Sequence, residues 1–164
     1  MSWGLALVAA IYTGGLLGFG VMLRQLPSGF AWVLLALVVT WACDTAAYLV
    51  GRAVGKRPFM QQISPRKTVE GAIAGLVGGV VAAVAFVPFL PMTWWQAPLL
   101  GVAWSIAAQS GDLVESMMKR DAGVKDSGTL IPGHGGMLDR IDSLLFVAPA
   151  VFAAAITLSL QGRG

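Results

Sequence analysis

Apolar residues in this chain come in long blocks rather than in alternation. Five blocks, Trp3–Leu23, Phe30–Val50, Val69–Leu90, Trp94–Met118 and Ile141–Leu160, carry few charges. Each is close to the about 20 residues that an α-helix needs to cross a hydrocarbon core. The pattern predicts an all-α fold, a polytopic transmembrane helical bundle of about five spans. Short turns at Arg24–Gly29 and around Pro91–Thr93 join the first span to the second and the third to the fourth. Two longer polar loops, Gly51–Thr68 and Lys119–Arg140, separate the others. No internal repeat or low-complexity segment interrupts the series, so residues 1–164 read as a single membrane-embedded domain.

Composition excludes the soluble alternative. The chain is 57% hydrophobic and 12% charged, against about 25% charged in an ordinary soluble domain. Such a chain has too little polar surface to cover a globule in water. The single cysteine, Cys43, lies in an apolar run and reads as packing. It has no partner for an internal disulfide. The N-terminus lacks a basic segment and a small-residue cleavage site, so Met1–Leu23 reads as a retained span.

Charge gives the orientation. Nine of the eleven basic residues fall in the two long loops: Arg52, Lys56, Arg57, Arg66, Lys67, Lys119, Arg120, Lys125 and Arg140. Basic loops stay cytoplasmic, which predicts the N-terminus inside and the C-terminus outside. Arg24 and Arg163 fall on the opposite face. Trp94 and Trp95 suit the outer interface, where amphipathic rings collect. Gly71, Gly75 and Gly79, and separately Gly14 and Gly18, form small-xxx-small stripes of the kind that lets helix backbones approach in lipid.

Carboxylates inside apolar spans point to chemistry. Asp44, Asp112 and Glu115 each cost about 2.5–3.5 kcal/mol at the centre of a span. They therefore need a cation, a partner, or a position near the interface. Asp44 lies about two turns before Gly51, and Asp112 about two turns before Lys119, so both are expected near the cytoplasmic face. Ser105, Gln109, Asp112, Ser116 and Lys119 recur at helical spacing and share one face. Helix–helix hydrogen bonding accounts for Ser105 and Gln109. It does not account for an ionised Asp112. Glu115 and Lys119 stand four apart, the spacing of a structural ion pair.

The segment Ser116–Ser143 reads SMMKRDAGVKDSGTLIPGHGGMLDRIDS. It mixes the cations Lys119, Arg120, Lys125 and Arg140 with the carboxylates Asp121, Asp126, Asp139 and Asp142. Its glycines, densest in Pro132-Gly133-His134-Gly135-Gly136, expose backbone N–H groups to phosphate oxygens. Lys and Arg supply positive charge for a polyphosphate, and Asp supplies oxygen ligands for Mg²⁺. Ser64-Pro65 is expected to begin the third helix, with Ser64 as its N-cap. A helix start beside Arg66 and Lys67 is an anion site. No phosphate loop of the GxxxxGK[ST] form, no GxGxxG and no zinc spacing is present.

The whole of that segment resembles the signature of the phosphatidate cytidylyltransferase family. A second block is similar to the same family: Trp41-Ala-Cys-Asp44-Thr-Ala-Ala-Tyr48, Gly51-Arg52, Gly55-Lys56 and Ser64-Pro65-Arg66-Lys67-Thr68-x-Glu70-Gly71. The resemblance implies the catalytic C-terminal region, with the N-terminal spans usual in the family absent. It implies a nucleotidyltransferase that joins CTP to phosphatidic acid, giving CDP-diacylglycerol and pyrophosphate for phospholipid biosynthesis. The implied catalytic residues are Asp112, Asp139, Lys119, Asp142 and His134. Substrate contacts fall to Ser64, Arg66, Lys67, Ser116, Arg120, Lys125, Asp126, Gly135, Gly136 and Arg140. Asp112 and Asp139 are the expected Mg²⁺ ligands, with Asp44 and Asp142 next. His134 reads better as a phosphate contact than as a base, because the phosphate is already ionised. The implied setting is a bacterial-type inner membrane, with the site on the cytoplasmic face. Membrane lipid, a homodimer partner and no nucleic acid complete the expected partners. Two other readings compete: a transporter or channel, which accounts for the stripe but not for the loop, and an inactive fragment that serves in assembly.

Overall fold

The computed structural model describes residues 14–60, 63–64, 67–121 and 138–161, with the backbone alone at 138–141 and 161. The described residues form five α-helices: α1 (Leu16–Gln25), α2 (Gly29–Val54), α3 (Val69–Ala85), α4 (Gln96–Asp121) and α5 (Leu138–Gln161). A 3₁₀ turn, Val87–Phe89, follows α3. Among these residues there is no strand, only an isolated bridge between Pro58 and Thr68. The fold is all-helical.

Among the described residues three segments are long and apolar enough to cross a membrane: Gly29–Val54, Val69–Phe89 and Asp142–Leu160. The fourth expected span has the length, since α4 holds 26 residues, about 39 Å of helix. It falls short on apolarity, because Gln109, Ser110, Asp112, Glu115 and Ser116 all lie on it. The first expected span is described only over α1 and the turn before it.

Small residues set how closely the helices lie. The core between them gathers Trp32, Leu35, Val39, Cys43, Trp104, Val147 and Val151, all essentially inaccessible. Gly71, Gly75 and Gly79 are buried on α3. A Cβ at Gly71 would stand 2.7 Å from the Ala47 carbonyl oxygen of α2, and one at Gly75 3.1 Å from that of Cys43. At Gly79 the space is taken by the Ser105 hydroxyl of α4. This stripe lets α3 lie directly against both neighbours. Gly14 and Gly18 behave otherwise. A Cβ at either would meet nothing within 4 Å, so this second stripe packs against nothing described. The lower part of α1 instead touches α5 through Phe19 and Phe152, edge to face with centroids 5.4 Å apart.

The start of α3 corrects the expected cap. Helical backbone begins at Val69, and the N-cap is Thr68, extended at φ −125° and ψ 153°. Its hydroxyl oxygen accepts from the Gly71 N–H at 3.1 Å. Ser64 lies in the preceding turn, where its N–H donates to Met60 and its carbonyl accepts from Lys67. The cause is the path of the loop. Phe59 N–H donates to the Lys67 carbonyl and Val69 N–H to the Arg57 carbonyl, which pairs residues 57–59 with 67–69. The helix therefore starts only after Thr68. Glu70 then accepts from the backbone N–H groups of Lys56 and Arg57, at 3.1 and 3.2 Å, and ties the loop to the helix start.

Candidate active site

The polar face of α4 divides into two parts. Toward its N-terminal half it holds helices together. The Ser105 hydroxyl donates to the Gly101 carbonyl of its own helix at 2.8 Å. Gln109 donates across to the Ala72 carbonyl of α3 at 3.0 Å, and its amide also lies 3.8 Å from the Cys43 sulfur. Cys43 itself is buried packing. These are the hydrogen-bonded contacts expected of polar groups between membrane helices.

Toward its C-terminal half the same face is charged. One oxygen from each of Asp112, Glu115 and Asp142 falls within 4.8 Å of the others. Asp112 and Glu115 share a face because they stand three apart on α4. Asp142 arrives on α5 because Gly111 lets that helix approach: a Cβ at Gly111 would stand 2.6 Å from the Asp142 carbonyl oxygen. The Ser143 N–H donates to the Asp142 carboxylate at 2.7 Å. Asp44, from α2, interacts electrostatically with Asp112 and Asp142.

Two lysines answer this charge. Lys67 Nζ meets Asp112 Oδ2 at 2.6 Å, with the side chains about a quarter and a third exposed. Lys119 Nζ meets Glu115 Oε2 at 2.8 Å, the i, i+4 pair read from spacing, and here Glu115 is almost inaccessible. Among the described residues four carboxylates thus face two ammonium groups in a partly buried place. Clustered hard oxygen donors of this kind can hold a divalent metal ion.

Beside the cluster opens a cavity of about 590 Å³ between α2, α3, α4 and the loop. Asp44, Lys67 and Asp112 line it together with Tyr48, Arg52 and Phe59. Farther along, Arg120 Nε donates to the Ile63 carbonyl at 3.4 Å, which brings the end of α4 to the loop. Ser116 is half-buried on α4.

The expected residues therefore separate into groups. Asp44, Asp112, Asp142, Lys67 and Lys119 converge. Ser64 and Arg120 lie in or against the loop beside them. Asp139 and Arg140 fall on the first turn of α5, with their side chains outside the described residues. Arg66, Lys125, Asp126, His134, Gly135 and Gly136 also lie outside the described residues. Sequence reasoning offered Glu115 a structural pairing with Lys119 and did not name it among the metal ligands, although its spacing from Asp112 was the available signal. It gave no role to Tyr48, Phe59 or Gly111.

Comparison with known proteins decides the family. The model of the cytidylyltransferase family matches residues 1–158. The chain belongs to the cytidylyltransferase family. It is 44% identical over 152 residues to the phosphatidate cytidylyltransferase of Bacillus subtilis, covering 91% of this chain and 56% of that protein. The phosphatidate cytidylyltransferase of Synechocystis sp. is 47% identical over 137 residues, with 82% and 46% covered. That of Mycobacterium tuberculosis is 43% identical over 143 residues, with 87% and 43% covered. The chain thus spans about half the length of the curated relatives it matches.

Proposed function

We propose that this chain carries the catalytic region of a CTP:phosphatidate cytidylyltransferase. A phosphate oxygen of phosphatidic acid attacks the α-phosphorus of CTP, the bond to the β-phosphate oxygen breaks, and pyrophosphate leaves. The observation that carries the reading is the carboxylate cluster with its two lysines, set against a cavity at the ends of three helices. Family membership supports the reaction class, and relatives bearing the phosphatidate name support the lipid.

The task at such a site is to bring two polyanions together, so neutralisation and alignment dominate. Asp112, Glu115 and Asp142 would hold Mg²⁺, with Asp44 and Asp139 as further donors. The bound ion supplies charge neutralisation for the polyphosphate. Lys67 and Lys119 hold two of these carboxylates in place, and Lys67 adds positive charge to the cavity wall. Lys125, Arg120 and Arg140 are assigned to the triphosphate, with Ser116, Asp126, His134, Gly135 and Gly136 around it. Ser64 and Arg66 border the phosphate of the lipid. In this reading residues 1–164 act as one unit of about five spans in a bacterial-type inner membrane. The N-terminus and both long loops are cytoplasmic.

The test is turnover by the purified chain in detergent with CTP, phosphatidic acid and Mg²⁺. Formation of CDP-diacylglycerol with equal release of pyrophosphate supports the assignment. Ion flux in vesicles without such turnover would instead favour the transporter.

A further inference from the structure

Among the described residues the cavity is lined by two cations, and they are not equivalent. Lys67 is already engaged by Asp112. Arg52 donates from Nη1 to the Tyr48 hydroxyl at 2.9 Å, one turn back on α2. Among the described residues no carboxylate lies within ion-pair distance of it. A guanidinium presents five N–H donors in a planar fork, so one bond to a phenol orients the group and leaves most of the fork open. Oxyanions are what that fork binds best, often through two parallel bonds.

The rest of the lining narrows the ligand. Ala47, Phe59 and Leu113 are among the cavity's apolar residues, and Tyr48 contributes its ring. Among the described residues Arg52 is the one uncommitted cation lining the cavity, and it matches one phosphate monoester. The triphosphate of a nucleotide carries more negative charge than Arg52 alone neutralises. An apolar wall next to one open guanidinium suits a phosphate on an apolar body.

We propose that Arg52, held in orientation by Tyr48, is the specificity-determining contact for the phosphate monoester of the lipid substrate, apart from the nucleotide site. The proposal rests on the cytidylyltransferase reading for the reaction but assigns the lipid's place by the geometry of this cavity. Arg52 takes the phosphate, and the apolar wall takes the first part of the lipid body. Lys67 stays with Asp112.

The experiment measures binding and turnover separately. The purified chain in detergent micelles is titrated with phosphatidic acid, with phosphatidylcholine and with glycerol 3-phosphate, and bound lipid is read by native mass spectrometry. Wild type should retain phosphatidic acid over phosphatidylcholine. Arg52→Ala should weaken phosphatidic acid about tenfold or more, the loss expected for a charge-assisted contact. Arg52→Lys should lose less, and Tyr48→Phe about threefold. In turnover, Arg52→Lys should raise KM for phosphatidic acid and leave KM for CTP within about twofold. Undiminished phosphatidic acid binding in Arg52→Ala overturns the proposal, as does an equal rise in both KM values in Arg52→Lys. Displacement of the lipid by glycerol 3-phosphate at similar concentration overturns the role of the apolar wall. Arg52-dependent phosphatidic acid binding without any CTP turnover would remove the enzyme reading and leave this site standing. Because Arg52→Lys keeps the charge and much of the length, the test does not depend on Arg52→Ala folding.

Discussion

Asp112→Asn separates a metal-binding carboxylate from a structural one. The Lys67–Asp112 contact at 2.6 Å has a gross attraction of about 6 kcal/mol at an effective dielectric of about 20. Solvent takes most of it back, since the two side chains are about a quarter and a third exposed. Fully exposed pairs are worth about 0–1 kcal/mol and breaking a buried one costs about 3–5 kcal/mol. Neutralising Asp112 should therefore cost about 1–2 kcal/mol of stability, small enough for the variant to fold. Asparagine keeps the size and one oxygen but lacks the charge that draws Mg²⁺. Turnover should fall about 100-fold or more, the scale seen when one preorganised electrostatic group is lost from a transition state.

The structure also supplies the control. Asp112 pairs with Lys67, whereas Lys119 belongs to Glu115. The double variant Asp112→Asn with Lys67→Gln removes both charges of the pair, and most of the lost stability should return. Activity should not return, since no ligand has been added. Thermal unfolding in detergent and turnover across a Mg²⁺ titration read the two effects apart. Recovery of turnover in the double variant would make the pair purely structural. Near-normal rate and unchanged Mg²⁺ response in Asp112→Asn alone would remove Asp112 from the site.

Three further outcomes are expected. Gly111→Ala should lower turnover at least tenfold by pushing Asp142 away from Asp112, since a Cβ there would stand 2.6 Å from the Asp142 carbonyl oxygen and packed helices resist such insertion; Gly18→Ala, which meets nothing within 4 Å, should stay within about twofold. Single cysteines at Lys56 and Gly128 in a Cys43-free background should react only from the cytoplasmic side, and outer labelling of either would refute the topology; Lys56 is exposed, whereas Gly55 packs on Thr68. Lys125→Ala should raise the KM for CTP more than that for phosphatidic acid, and equal rises would remove it from the triphosphate.

What could be read from the sequence was periodic or costly. Asp112 stood out because a carboxylate in an apolar block needs an explanation wherever the helix goes. The Glu115–Lys119 pair followed from spacing on one helix and is present at 2.8 Å. Lys67 with Asp112 was not legible, because that contact depends on how the loop before α3 sits against α4. Spacing within one helix carries no such information. The cap at Thr68 was hidden for a related reason. Ser64 and Thr68 are both good capping residues, and the choice was made by pairing between Phe59 and Lys67, outside the helix itself.

Glycine shows the same limit in a sharper form. Two stripes with one spacing behave differently: Gly71, Gly75 and Gly79 meet α2 and α4, while Gly14 and Gly18 meet nothing within 4 Å. A small residue permits approach but does not select a neighbour. Selection comes from what lies opposite, as the Ala47 and Cys43 carbonyls lie opposite α3. Gly111 belongs to neither of these stripes, yet it admits the Asp142 carbonyl against α4. Its neighbour Asp112 and the arriving Asp142 are two of the three clustered acids. Close approach of two backbones and convergence of their carboxylates are therefore one structural event. For that reason Gly111, which has no side chain to react, should behave in mutagenesis as a positioning residue of the site.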